Sequence, residues 1–181
     1  SFQNQFTKTT TDANLMETVH HGSAEYPFRY YYENIALFDF KCIDWHWHSE
    51  LEFIYIESGN VVFDIGTVHF ELNEGNGIMI NSKILHRLQS SSDAIIPNFL
   101  FQPSFIAPQD SLIYKKYINP VISSSLEYLV FQPDIPWQKK ALEIIKTIIA
   151  VQKTEFNREI IVSMSVQQLW ILLLENLTFD Q

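Results

Sequence analysis

At 181 residues and 46% hydrophobic side chains, the chain can bury one full core with a helical annex, so a single domain is expected. A formal net charge of −9 excludes a segment that wraps a phosphate backbone, because that task takes clustered Lys and Arg. The lone Cys42 excludes an internal disulfide, no apolar run reaches the ~18 residues of a membrane span, and no basic-then-apolar leader opens the sequence; a reduced, cytoplasmic setting is expected.

Residues 1–26 are polar and rich in Thr and Asn, which reads as an irregular arm with little structure of its own. From 27 to 104 the pattern changes to short runs of Val, Ile, Phe and Tyr. These are broken at Glu57 to Asn60, Gly66, Asn73 to Gly77, Asn81-Ser82 and Ser90 to Asp93. Closely spaced strands of this kind predict an all-β sandwich or barrel. Val68 to Leu72 alternates apolar and polar residues, as a strand with one wet face does. Leu51 to Ile56 is apolar at Leu51, Phe53 and Tyr55 on one face and at Ile54 and Ile56 on the other, so it is expected to be covered on both sides.

Residues 105–135, with Pro108, Pro120 and Pro133, read as a mixed connection. Two helices are predicted over 136–178. In the first, Trp137, Ala141, Ile144, Ile145, Ile148 and Ile149 recur at helical steps, and Pro136 suits the first turn, where a missing N–H is no loss. In the second, Phe156, Ile160, Ile161, Met164, Gln168, Leu172 and Glu175 form a stripe that broadens over Leu169 to Leu174. A helix apolar nearly all round must bury more than one face. One face can cover the sheet and the other a second copy of the chain, through Ile161, Gln168, Leu172 and Glu175; the alternative is an interior helix of one monomer.

The chemistry is concentrated in His46-Trp47-His48-Ser49-Glu50-Leu51-Glu52 and, further on, His86. In a strand, residues i and i+2 share a face with Cα atoms ~6.5–7 Å apart, so His46 and His48 project together, and Glu52 joins them if the strand runs on without a bulge. Three imidazoles and a carboxylate suit Zn, Ni, Fe, Mn or Cu better than Ca or Mg, which prefer all-oxygen shells. Three readings stay open: a divalent transition metal on His46, His48, Glu52 and His86; a small organic effector in a pocket walled by Phe40, His46, His48, Glu52, Ile54 and His86; or polar residues that satisfy one another inside a barrel. Glu50 is expected in a solvated turn, His69 on an outer face, and Cys42 as a small buried hydrophobe. His20 and His21 lie on the arm with no fixed convergence. Arg29 and the tyrosines at 30 to 32 lie where they can close over an effector.

These residues carry a resemblance. His46-x-His48-x3-Glu52-x6-Gly59 fits the first cupin motif at its full spacing. Gly75-x5-Asn81-x-Lys83-x2-His86-x3-Ser90 resembles the second, keeping its glycine and histidine while Asn81, Lys83 and Ser90 replace the usual proline, second glycine and asparagine. His21-Gly22-Ser23, Pro27-Phe28, Leu72 to Gly75, Ile80-Asn81, Tyr117-Ile118-Asn119-Pro120 and the closing helices are similar to one cupin branch, the amino-terminal domains of AraC-type transcription regulators. The resemblance implies a mostly β fold, a cupin-like β-barrel (jelly roll) followed by a carboxy-terminal α-helical pair. It implies a barrel that senses a small effector, helices that form a homodimer, and DNA binding only through a carboxy-terminal domain expected beyond Gln181. The competing class is a metal-dependent cupin enzyme, a dioxygenase or isomerase, using the same four ligands. No separate acid, base or oxyanion group clusters beside the motif, and a helix pair leading to a polar end suits a sensor better.

Overall fold

A computed structural model describes residues 3–179. Nine short strands form two antiparallel sheets. The strands are β1 (Phe28–Tyr31), β2 (Cys42–His46), β3 (Leu51–Tyr55), β4 (Asn60–Ile65), β5 (Val68–Asn73), β6 (Gly77–Ile80), β7 (His86–Gln89), β8 (Asn98–Phe101) and β9 (Tyr128–Phe131). One sheet has the order β1-β8-β3-β6-β9 and the other β2-β7-β4-β5. The fold is thus mostly β, a cupin-like double sheet. A short helix α1 (Asn119–Ile122) precedes β9, and α2 (Pro136–Val151) and α3 (Arg158–Asn176) close the chain.

Strand β3 explains why there are two cores. Ile54, and Ile56 just past its end, face the other sheet and pack with Val61, Phe63, Ile65, Ile78, Ile80 and Leu88. Its odd residues Leu51 and Phe53 face outward, into a second core that α2 and α3 seal with Ala141, Leu142, Ile145, Ile148, Val162, Val166, Leu169 and Trp170. Both faces are covered, as the apolar residues on both sides of the strand predict. On the helix side Phe53 stacks on Phe99, Phe101 and Phe131 at centroid distances of 5.3, 5.8 and 6.2 Å. Truncating such a ring to Ala costs ~3–5 kcal/mol. Gly77 lets α2 approach: a Cβ there would lie 2.8 Å from Leu142 Cδ2.

One expectation changes, and the structure decides two further points. The mixed region 105–135 supplies β9, which pairs with β6 along Gly77 to Ile80, so the barrel does not end at 104. The prolines hid this strand, because they mark the turns around it. The buried face of α3 is Val162, Val166, Leu169, Trp170 and Leu173, which share one core with α2 and the Phe53 side of the sheet, and the Trp170 indole N–H donates to the Tyr117 carbonyl at 2.8 Å. The stripe expected from periodicity lies on the opposite side: Phe156, Ile160 and Met164 are 82%, 70% and 53% exposed. Finally, the arm is ordered against the barrel. Thr11 bridges Glu17, Met16 bridges Trp47, and the Glu17 N–H donates to the Trp47 carbonyl at 2.9 Å. A polar, turn-rich segment gains its order here from backbone bonds to the barrel rim, which its own composition does not reveal.

Candidate metal and effector site

The run from His46 to Glu52 is not one strand. His46 is the last residue of β2 in one sheet, Glu52 is the second residue of β3 in the other, and residues 47–50 turn the corner between them. The register of β2 also slips between Ile43 and His46. The side chains nevertheless converge, because the corner folds them inward from both sheets rather than along one face. His86 opens β7 directly opposite His46 in the register. The corner is pinned: the Lys83 N–H donates to the His48 carbonyl at 2.8 Å, and the Ser82 hydroxyl donates to the Ser49 carbonyl at 2.7 Å.

One ligand atom from each of His46, His48, Glu52 and His86 lies within 4.8 Å of the others, and all four residues are buried. The second ring nitrogens decide what this cluster can bind. Nδ1–H of His46 donates to the Asp44 carbonyl at 2.8 Å, that of His48 to the Glu50 carbonyl at 3.0 Å, and that of His86 to the Ile84 carbonyl at 2.8 Å. A carbonyl only accepts, so the proton sits on Nδ1 in every ring and each Nε2 turns inward. This is the outer-shell arrangement that metal-ligating histidines use. Nε2 of His48 and of His86 stand 3.3 and 3.2 Å from the same Glu52 oxygen. Lone pairs facing a carboxylate repel unless a cation lies between them, either a proton or a metal ion.

The electrostatics fit that requirement. Burial pushes the His46 imidazole down to about 3, and His86 and His48 push it the same way. Burial also pulls on His48, but the Glu52 bond and the charges of Glu52, Glu17 and Glu50 outweigh it and raise His48 to about 9. Burial would raise Glu52; its bonds from His48 and His86 win and hold it well below the usual carboxylate range. The pair His48–Glu52 therefore carries a buried proton at neutral pH. The donor set fits a divalent transition metal, which would take that proton's place.

The arm completes the enclosure. Glu17 reaches in beside the cluster, with Oε2 4.0 Å from His46 Nε2, and its Oε1 accepts a hydrogen bond from His21 Nε2. His21 is buried, its Nδ1 lies 2.6 Å from the Tyr31 hydroxyl, and its backbone N–H donates to Glu50 at 3.3 Å. Burial would raise Glu17; the His21 bond and the charges of His46, His21 and His48 outweigh it and lower it. The remaining cavity is about 50 Å³, lined among others by Glu17, Tyr31, Glu33, His46, His48 and Glu52. That volume holds an ion with a water or two, far short of the roughly 300 Å³ at which small-molecule pockets begin.

Some expected site residues lie elsewhere. Phe40 points outward, 100% exposed, at a left-handed backbone position (φ 60°), because the chain makes a tight turn before β2. Ile54 lies in the packed core between the sheets and does not line the cavity. Glu50 is buried in the corner, accepting from His21 and from the Ser49 hydroxyl, and is not solvated. Cys42 is half-buried beside a surface groove. His69 lies on the outer face as expected, its side chain 68% exposed and bonded to Asp64 at 2.5 Å. Ile161 and Leu172 are half-buried and Gln168 and Glu175 exposed on α3; the last three help line a groove between α2 and α3. Glu17, His21 and Glu33 escaped the sequence reading; only Glu17-x3-His21 in a weakly charged arm offered a signal.

Two short antiparallel sheets with three inward imidazoles and a carboxylate between them form a cupin-like barrel. Within it, residues 38–108 match the family model described as the AraC-like ligand binding domain. It is similar to the uncharacterised HTH-type transcriptional regulator YdeC of Bacillus subtilis, 32% identical over 178 residues. The match covers 94% of this chain and 60% of that protein, so the chain spans less than two thirds of its relative's length. Partly similar solved structures include a cupin-2 domain protein of Shewanella frigidimarina, 14% identical over 40% of this chain and 69% of that one, with a TM-score of 0.36. A cupin 2 barrel protein of Salinispora arenicola is 14% identical over 47% of this chain and 67% of that one, with a TM-score of 0.38. No helix among the described residues is long and apolar enough to cross a membrane.

Proposed function

We propose that this chain is the sensing part of a cytoplasmic transcription regulator, whose barrel holds a divalent transition metal on His46, His48, Glu52 and His86. The observation that carries the metal reading is the set of three Nδ1–H bonds to backbone carbonyls, which turns every Nε2 toward one carboxylate. The regulatory reading rests on the AraC-like ligand binding domain over residues 38–108 and on the relative among HTH-type regulators. DNA contact falls to a segment outside this chain, consistent with its net charge of −9.

Two copies pair through the outward side of α3. Ile160, Met164 and Ile171, each more than half exposed, lie on that side, and the groove lined by Gln168, Leu172 and Glu175 continues it. A catalyst, such as a dioxygenase or isomerase, needs open coordination positions facing a substrate-sized cleft; here the arm occupies the approach and leaves about 50 Å³.

The test is metal content and metal-dependent melting. After loading with Zn, Ni, Fe(II) or Mn and dialysis, the chain is expected to retain about one ion per copy. His48→Ala and His86→Ala should each lose it along with the metal-induced rise in melting temperature. Well under one ion per chain after loading, with no thermal shift, overturns the metal reading.

A further inference from the structure

We propose that Glu17 of the amino-terminal arm is a further ligand to the ion held by His46, His48, Glu52 and His86, so that the ion is itself the effector and its binding fastens the arm. The inference rests on the metal reading above and adds to it a residue from a different part of the chain. Glu17 Oε2 stands 4.0 Å from His46 Nε2, too far for a hydrogen bond. Two ligands that lie opposite each other across one ion, with bonds of about 2.0–2.2 Å, stand roughly 4.0–4.4 Å apart, so Glu17 can face His46 across the ion.

The carboxylate is aimed rather than loosely placed. His21 holds its other oxygen, Tyr31 holds His21 from behind, and the bridge between Met16 and Trp47 fixes the backbone beside it. Trp47 adds two bonds to the arm, its backbone N–H to the Leu15 carbonyl at 3.0 Å and its indole N–H to the Asn14 carbonyl at 2.9 Å. Trp47 lies between the two histidines His46 and His48, so the residues that clasp the arm and those that clasp the ion alternate along one corner. His21 is a positioning residue in this scheme.

Size and charge argue in the same direction. With the arm in place the cavity is about 50 Å³, which admits an ion and excludes a sugar or an aromatic acid. Glu17 and Glu52 both line it beside the imidazoles of His46 and His48, a mixed nitrogen and oxygen donor set that suits a divalent transition metal. An ion that draws Glu17 inward stabilises the docked arm by the same free energy with which the arm tightens the ion.

The experiment compares the chain with Glu17→Gln, and with Glu25→Gln as an exposed carboxylate on the same arm. Zn²⁺ and Mn²⁺ affinities are measured by competition with a chromophoric chelator at pH 7.5. Amide hydrogen exchange over residues 3–26 is followed with and without ion. Glu17→Gln is expected to weaken the ion roughly 10–100-fold, and Glu25→Gln to leave it unchanged. In the unmodified chain the ion should slow exchange at Leu15 to His21 at least tenfold, a readout that needs no variant; in Glu17→Gln that slowing should vanish. Equal affinity and equal ion-dependent protection in Glu17→Gln overturn the role of Glu17 and leave the four-residue site standing. Equal weakening by both variants overturns it as well, because the effect is then bulk charge. No ion bound by the unmodified chain overturns the metal reading and this inference together.

Discussion

Glu33 offers a quantitative test of how dry the inside of this barrel is. Its carboxyl is buried at the end of β1, where the Asn98 amide donates to Oε1 at 2.9 Å, and it lines the same cavity as Glu52. Burial raises it from 4.5 to about 7; the Asn98 bond opposes this, and Glu52 and Glu17 add to it. The folded protein therefore keeps a proton that the unfolded chain gives up near 4.5. Stability from this group is fully present below pH 4.5 and is lost as the pH rises through about 7. A carboxyl raised that far accounts for about 3 kcal/mol between those limits. Glu33→Gln keeps an oxygen for Asn98 and cannot ionise, so it lacks this loss. Urea unfolding with chelator present, read by tryptophan fluorescence, should show the variant gaining about 2–3 kcal/mol on the parent between pH 5 and pH 8. In melting temperature the same gain is roughly 4–12 °C for a domain of this size. A stability difference between the two proteins that changes by less than about 0.5 kcal/mol over that range refutes the reasoning, because it means that Glu33 ionises as it would in water.

The outward side of α3 predicts self-association: Met164→Asp and Leu172→Asp should convert dimers to monomers in light scattering, and Met164→Asp should do so with little change in melting temperature because Met164 is exposed in the single copy. Equal mass before and after counts against the interface. The charge of −9 predicts that this chain alone gives no sequence-specific gel shift at physiological salt, and a specific shift would contradict it.

Much of the site was legible because its signal is local. His46, His48 and Glu52 sit within one short run, and a run with such side chains at two- and four-residue steps has few uses inside an apolar barrel. The reasoning from strand parity was nevertheless incomplete. Strand parity takes 46–52 as one strand, while the chain turns a corner there and brings the four side chains in from two sheets. Phe40 is separated from His46 by a register slip and a tight turn, and its ring ends in solvent rather than in the pocket.

The sequence by itself determined what depends on spacing along the chain: the strand-rich barrel, the two-faced β3, the closing helices and the cluster of His46, His48, Glu52 and His86. Only the tertiary structure decided what depends on which surfaces meet. It chose Val162, Val166, Leu169 and Trp170 over Ile160 and Met164 as the packed side of α3, although both rows are apolar, because the former fit against the Phe53 side of the sheet. It recruited β9 from a proline-rich stretch because the edge of β6 had unpaired backbone groups to satisfy. And it laid the arm across the barrel mouth, bringing Glu17 to His46 across 29 residues of chain through backbone bonds to Trp47. Contacts of that kind are made by backbone groups that every residue carries, so no side-chain pattern announces them.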